Sequence, residues 1–255
     1  MSSGNEAITA RARVERISRE LEQLRGRTFK EQVRIEVQTA EAFRAFIDET
    51  LDQEMPGDMA VRQSKVLQAF GLVPVGYDLR RGLTDLVVSQ AGAYYRPETK
   101  TFYILMAGLP DDQLDSLILH ELQHALQDQY HDLKSLREAA LKNPDEDART
   151  ALQFVLEGEA TFVMLKYQLK NAGQDLDRLP MEARDFVFRT VRDLDRKMIQ
   201  LAAQAAKPSG PRGEEIRRSI EAMSLAPGVL FWSLYDPYFK GQYAIQRVFT
   251  EQGWA

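Results

Sequence analysis

The sequence predicts an α+β fold that is predominantly α, with a small antiparallel sheet ahead of one long helix and a helical C-terminal half. Three observations lead there. Apolar residues recur at spacings of three and four along most of the 255 residues. Only the stretches around 33–37 and 92–105 carry the alternation, or the aromatic and β-branched content, of strands. No internal repeat, low-complexity stretch or linker divides the chain. It therefore reads as one domain, 1–255, made of an N-terminal helix (1–25), a mixed α/β part with an edge hairpin (27–110) and a helical part (111–255).

In chain order, Ala10, Val14, Ile17, Leu21 and Leu24 mark a helix over 6–25 that Gly26 stops. The pattern lasts barely two heptads, so packing on its own domain is expected rather than a dimerising coiled coil. Val33, Ile35 and Val37 alternate with Arg34 and Glu36 as a half-buried strand. Thr39 caps a helix to about Glu54, with Phe43, Phe46, Ile47 and Leu51 on one face, and Pro56-Gly57 breaks it. Further helices are expected over 59–70, ending at Gly71, and from Asp78 to about Ser89. Residues 92–96 and 101–105 flank the turn Pro97-Glu98-Thr99-Lys100 and read as a hairpin.

Pro110-Asp111-Asp112 opens a helix to about 130, the aspartates suiting its positive end. After the break at Asn143-Pro144-Asp145, a helix over 147–171 carries Leu152, Leu156, Ala160, Val163 and Tyr167, and Gly173 ends it. Helices near 180–203 and 213–224 flank the loop 207–211. A last helix covers 228–250, interrupted at Asp236-Pro237.

Composition narrows the function. A net charge of −5 and a pI near 5.4 argue against nucleic acid as the main partner. No apolar run approaches the roughly 18–20 residues of a transmembrane helix. The opening Met1-Ser2-Ser3-Gly4-Asn5 has no features of a signal peptide, which fits a cytoplasmic protein or a periplasmic or secreted one whose signal has been removed. Cysteine is absent, so disulfides, thiolate metal sites and cysteine nucleophiles are excluded together.

Two of the three histidines stand in His120-Glu121-Leu122-Gln123-His124. Helical residues four apart stack on one face, so both imidazoles can grip one ion. Glu121 lies about 100° round the helix from His120, outside the ligand set but within reach of a water on the ion. This is the H-E-x-x-H arrangement of zinc hydrolases. Leaving such groups buried without partners would cost several kcal/mol, roughly, and one bound zinc ion removes that cost.

Zinc needs a third protein ligand and keeps one position open. His131 shares the face, yet at 1.5 Å per residue it lies about 10 Å beyond His124 along the axis, so it reads as a helix-end residue or one behind the ligands. Gln127 and Tyr130 stand where a metzincin requires Gly and His. The donor is sought in Leu156-Glu157-Gly158-Glu159-Ala160-Thr161, where Gly158 would let this helix approach the motif helix closely. Glu157 and Glu159 are about 200° apart on a helix, so one of them faces the ion, and the apolar stripe does not choose.

The His120–His124 motif followed by the Glu-Gly-x-Ala helix resembles the gluzincins, zinc peptidases with two His ligands and one Glu. His120 to Gln129 with Leu156 to Thr161, Leu24-Arg25-Gly26, the hairpin turn and Pro237-Tyr238-x-x-Gly241 are similar to uncharacterised bacterial proteins classed as zinc metallopeptidases. The likeness covers most of the chain. It implies a zincin-like catalytic domain with one zinc ion on His120, His124 and Glu157. Two departures stand out. Thr161 takes the place where some relatives have an Asp supporting a ligand histidine, and a further segment is expected beyond Gly253-Trp254.

The resemblance implies hydrolysis of a peptide or protein substrate by a zinc-activated water, with Glu121 as general base. Tyr238, exposed by the Pro237 break, is the candidate oxyanion donor, with Tyr243 and His131 as alternatives. Asp128 is a candidate to orient a ligand imidazole, against a solvated surface charge. The 92–105 hairpin would offer its edge to the substrate backbone, Gly92-Ala93 allowing close approach. The competing class is a non-hydrolytic zinc-containing binding or scaffold protein with a structural or vestigial site. An amide or ester outside peptides would use the same residues. Oligomeric state is left open.

Overall fold

Three short strands and a longer set of helices build the fold in the computed structural model, which describes residues 2–88, 92–105, 111–192 and 223–254. In order these are α1 (Ser2–Arg25), β1 (Arg34–Gln38), α2 (Ala40–Glu54), α3 (Met59–Ala69), α4 (Leu79–Val88), β2 (Ala93–Arg96), β3 (Thr101–Leu105), α5 (Asp111–His131), α6 (Leu133–Lys142), α7 (Glu146–Asn171), α8 (Met181–Arg192) and α9 (Gly228–Gln252). A 3-10 turn, Leu176–Arg178, joins α7 to α8.

The main core lies where α1, the sheet, α5 and α7 meet. Val14, Ile17 and Leu21 of α1 are buried against Phe102 and Ile104 of β3, Ile118, Leu122 and Ala125 of α5, and Val163 and Tyr167 of α7. The heptad-like stripe of α1 therefore packs on its own domain, as its shortness implied. Each fully buried aliphatic side chain contributes roughly 1.5–3 kcal/mol, so this stripe does more for stability than helix propensity can. Arg13 ties α1 to the start of α5 through Asp115 Oδ1 (2.5 Å) and Asp111 Oδ1 (2.9 Å), and Arg16 reaches Asp115 Oδ2 (2.6 Å). Gly26, at φ +66°, ends α1 in a conformation that L side chains seldom adopt.

The strands form one sheet in the order β1-β3-β2. The expected hairpin is present, β2 running antiparallel to β3 with Tyr95 opposite Phe102. An all-antiparallel sheet is not, because β1 pairs with β3 in parallel, Ile35 opposite Phe102. The reason is the connection: a tight turn forces β2 and β3 antiparallel, whereas three helices and β2 intervene between β1 and β3. β1 sits at an edge, so Val37 remains 46% exposed despite the alternating pattern.

Helices α2, α3 and α4 lie where the periodicity puts them. The Thr39 hydroxyl caps α2 by accepting from Ala42 N (3.2 Å). Helix α6 is additional to the sequence expectation. Its cap, Asp132, is a single left-handed residue (φ 47°) between two helices, and Leu136 and Leu141 stay exposed. Leu133, Leu136 and Ala140 share a helix face, but with one residue between α5 and α6 the segment has no linker to announce a separate helix.

Helix α9 is continuous through Pro237, which is buried within it, so the expected interruption does not occur. Proline removes one backbone donor, but the long packing of α9 on α7 outweighs that loss. The expected helix over 180–203 is seen as α8 to Arg192. Residues 193–222, with the expected loop at 207–211 and most of the helix at 213–224, lie outside the described residues, as does Pro110. Among the described residues no helix is long and apolar enough to cross a membrane.

Candidate metal centre

Helix α5 carries His120 and His124 on its buried side, 4% and 7% exposed, with ring centroids 5.0 Å apart and nearly perpendicular. Helix α7 brings Glu157 against them. Its Oε2 lies 3.1 Å from His120 Nε2 and 3.2 Å from His124 Nε2, so both imidazoles converge on one carboxylate oxygen. One ligand atom from each residue falls within 4.8 Å of the others, and among the described residues this group is able to hold a metal ion. The donors, two imidazoles and a carboxylate, form a set suited to zinc.

The electrostatics are those of a charged pair inside the protein. Burial alone would raise the Glu157 carboxyl, but His124 and His120 hold it well below the usual carboxylate range. For His124, burial acts to lower the pKa, yet the Glu157 carboxylate raises it to about 9. A proton on His124 thus compensates the buried carboxylate where a cation would.

Glu121 lies beside the pair, and burial pushes its carboxyl up from the ordinary value. Its Oε2 accepts from Tyr95 N of edge strand β2 at 3.0 Å. Tyr238 stacks on His120, ring centroids 5.5 Å apart and 19° from parallel. Burial, reinforced by the negative fields of Glu157 and Glu121, raises its phenol well above the ordinary value, so the hydroxyl keeps its proton.

Tyr238 reaches this position through helix packing, not through a proline break. Gly158 of α7 faces Gly241 of α9, where an added Cβ would lie 2.6 Å from the Gly241 carbonyl oxygen. Gly158 therefore serves the approach of α9, not of α5 as its neighbourhood suggested.

The choice between the two glutamates is plain in the geometry. Glu159 turns away from the histidines: its Oε1 accepts from Arg25 Nε (2.8 Å) and Nη2 (2.6 Å), its Oε2 from Gln127 Nε2 (2.7 Å). Gln127, which sequence reasoning used only to reject metzincins, also meets His124 Nδ1 (2.9 Å) and the Leu156 carbonyl (3.2 Å). The signal was available, since an amide three residues after His124 on a buried face needs partners.

Two candidate roles are corrected, those of Asp128 and Tyr243, while His131 takes a helix-end place and not that of an oxyanion donor. Asp128 touches neither imidazole; its carboxylate accepts from the Tyr95 hydroxyl (2.7 Å) and from Leu133 N at the start of α6 (2.7 Å). It is 6% exposed, so it is not a solvated charge either. His131 is exposed at the last residue of α5, near Tyr130. Tyr243 packs with Phe162 and Leu176 in a separate cluster. Thr161 is buried with no hydrogen-bond partner for its hydroxyl among the described residues, so it does not replace the aspartate expected at that position. No protein-family model, curated protein or solved structure matches this chain.

Proposed function

We propose that the protein is a zinc-dependent peptidase with a gluzincin-like site and a zincin-like fold. The observation that carries this reading is the convergence of His120 Nε2 and His124 Nε2 on one Glu157 oxygen, with Glu121 and Tyr238 beside them. His120, His124 and Glu157 would hold the ion. Zinc supplies Lewis acidity, polarising a substrate carbonyl and bringing the pKa of water down to about 7.

The protein's own groups do the rest. Glu121, with one oxygen fixed by Tyr95 N, accepts the proton of the attacking water and returns it to the leaving nitrogen. Its burial-raised pKa suits a group that must both take and give a proton. Tyr238 keeps its hydroxyl protonated and donates to the oxyanion as charge develops there. Strand β2, an edge strand next to Glu121, offers backbone groups to an extended peptide.

The test is metal analysis of the purified protein, followed by cleavage of a peptide library by wild type and Glu121→Gln. The expected outcome is bound zinc in both proteins and cleavage by wild type only. Zinc retained with no cleavage by either would support the rival reading, a structural site in a binding protein. Cleavage of esters or simple amides alone would move the substrate class outside peptides.

A further inference from the structure

Behind His124, away from the groups that the proposed chemistry uses, stands Gln127. A carboxamide has an acceptor end and a donor end, and partners of fixed polarity decide which way each points. The Leu156 carbonyl, 3.2 Å from Gln127 Nε2, can only accept. Glu159, 2.7 Å from the same nitrogen, is gripped by the permanently charged Arg25 and likewise accepts. The NH2 of Gln127 must therefore face α7 and its Oε1 must face His124 Nδ1, 2.9 Å away. That requires a proton on Nδ1 and leaves Nε2 as the nitrogen aimed at Glu157.

We propose that Arg25, Glu159 and Gln127 form a relay of hydrogen-bond polarity that selects the metal-binding tautomer of His124, with Gln127 as a positioning residue. The proposal rests on the metal reading of the site. Arg25 is itself held in place, its guanidinium 3.8 Å above the Trp254 ring while Trp254 Nε1 donates to the Leu24 carbonyl (3.3 Å). Helix α1 and the segment after α9 thus fix the cation from which the relay starts.

Polarity can be separated from packing by exchanging the two side chains. In Glu159→Gln, the new amide must turn its oxygen to Arg25 and its NH2 to Gln127. Two NH2 groups then meet at the closer contact (2.7 Å), and relieving that clash outweighs the longer Leu156 contact (3.2 Å): Gln127 flips, presents NH2 to His124 and moves the ring proton to Nε2, where it blocks the metal. In Gln127→Glu, two carboxylates face each other. The double variant Gln127→Glu/Glu159→Gln restores the pairs at His124, at Arg25 and between positions 127 and 159, and leaves only the longer Leu156 contact (3.2 Å) without its donor. Zinc dissociation constants from chelator competition should weaken about 10- to 100-fold in each single variant and return to within a few-fold of wild type in the double. Long-range 15N–1H spectra of the metal-free protein at alkaline pH, recorded in a Glu157→Ala background so that no carboxylate faces Nε2, should show Nδ1–H with Glu159 in place and Nε2–H once Glu159→Gln is added.

A double variant no better than the singles, or Glu159→Gln keeping both Nδ1–H and wild-type zinc affinity, would overturn the proposal. The ring spectra need no metal. A wild type that binds no zinc would therefore sink the metal reading while the relay is still decided by the tautomer.

Discussion

Gly158 and Gly241 cross with no side chain between them. A Cβ on Gly158 would lie 2.6 Å from the Gly241 carbonyl oxygen and 2.8 Å from Gln242 N, and one on Gly241 would lie 3.1 Å from Gly158 Cα. Glu157 precedes the first glycine and Tyr238 lies one turn before the second, so this crossing sets the distance between carboxylate and phenol. Gly158→Ala should destabilise the protein by about 1–3 kcal/mol in urea unfolding, because backbone rather than a flexible side chain must give way. Gly228→Ala, with open space around it and an ordinary φ, is the control and should stay within about 0.5 kcal/mol.

The His124–Glu157 pair predicts how the metal-free protein responds to pH. The folded-state pKa of His124 is raised from 6.5 to about 9, so its contribution is fully present below pH 6.5 and is lost as pH rises through 9. Glu157 is depressed from 4.5, so its contribution is present above pH 4.5 and is lost on acidification. Melting temperature should therefore peak between pH 4.5 and 6.5 and fall towards 9. The loss on the alkaline side is about 3 kcal/mol at most. Zinc in place of the proton should flatten the alkaline limb, and a metal-free Tm that rises from pH 6.5 to 9 would contradict the pairing.

Tyr238→Phe retains the ring that stacks on His120 and removes only the hydroxyl. If Tyr238 donates to the oxyanion, kcat on a cleaved peptide should fall by about 10²–10³ with KM and zinc content unchanged. Unaltered kcat would reduce Tyr238 to a packing residue.

Asp128 ties together three elements of the fold without touching the metal site. Asp128→Ala would strip the acceptor from both the Tyr95 hydroxyl and Leu133 N. Denaturant unfolding should show a loss of about 2–4 kcal/mol, while zinc affinity stays at the wild-type value.

Most helices were legible because each buries a stripe that recurs at the helical period, as Val14, Ile17 and Leu21 do on α1. The two histidines were legible for the same reason, four apart on one face. What stayed hidden depended on partners remote in sequence. The parallel pairing of β1 is a property of its crossover, and α6 is set off from α5 by one residue, Asp132, whose left-handed conformation is fixed by the fold. Glu157 and Glu159 are indistinguishable from spacing alone, because the choice is made by Arg25 arriving 134 residues away. Asp128 looked like a surface charge or a histidine partner because its true donors, Tyr95 and Leu133, belong to other elements.

The tie between Trp254 and Leu24 spans 230 positions, and Arg25 meets Glu159 across 134. Closing loops of that size costs chain entropy before any contact repays it, so such contacts form late and slow the folding rate. On a ribosome, α1 is made 230 positions ahead of Trp254, so its terminal arginine waits that long to be clasped. The histidine backed by that arginine is thus completed only after Trp254 has been synthesised.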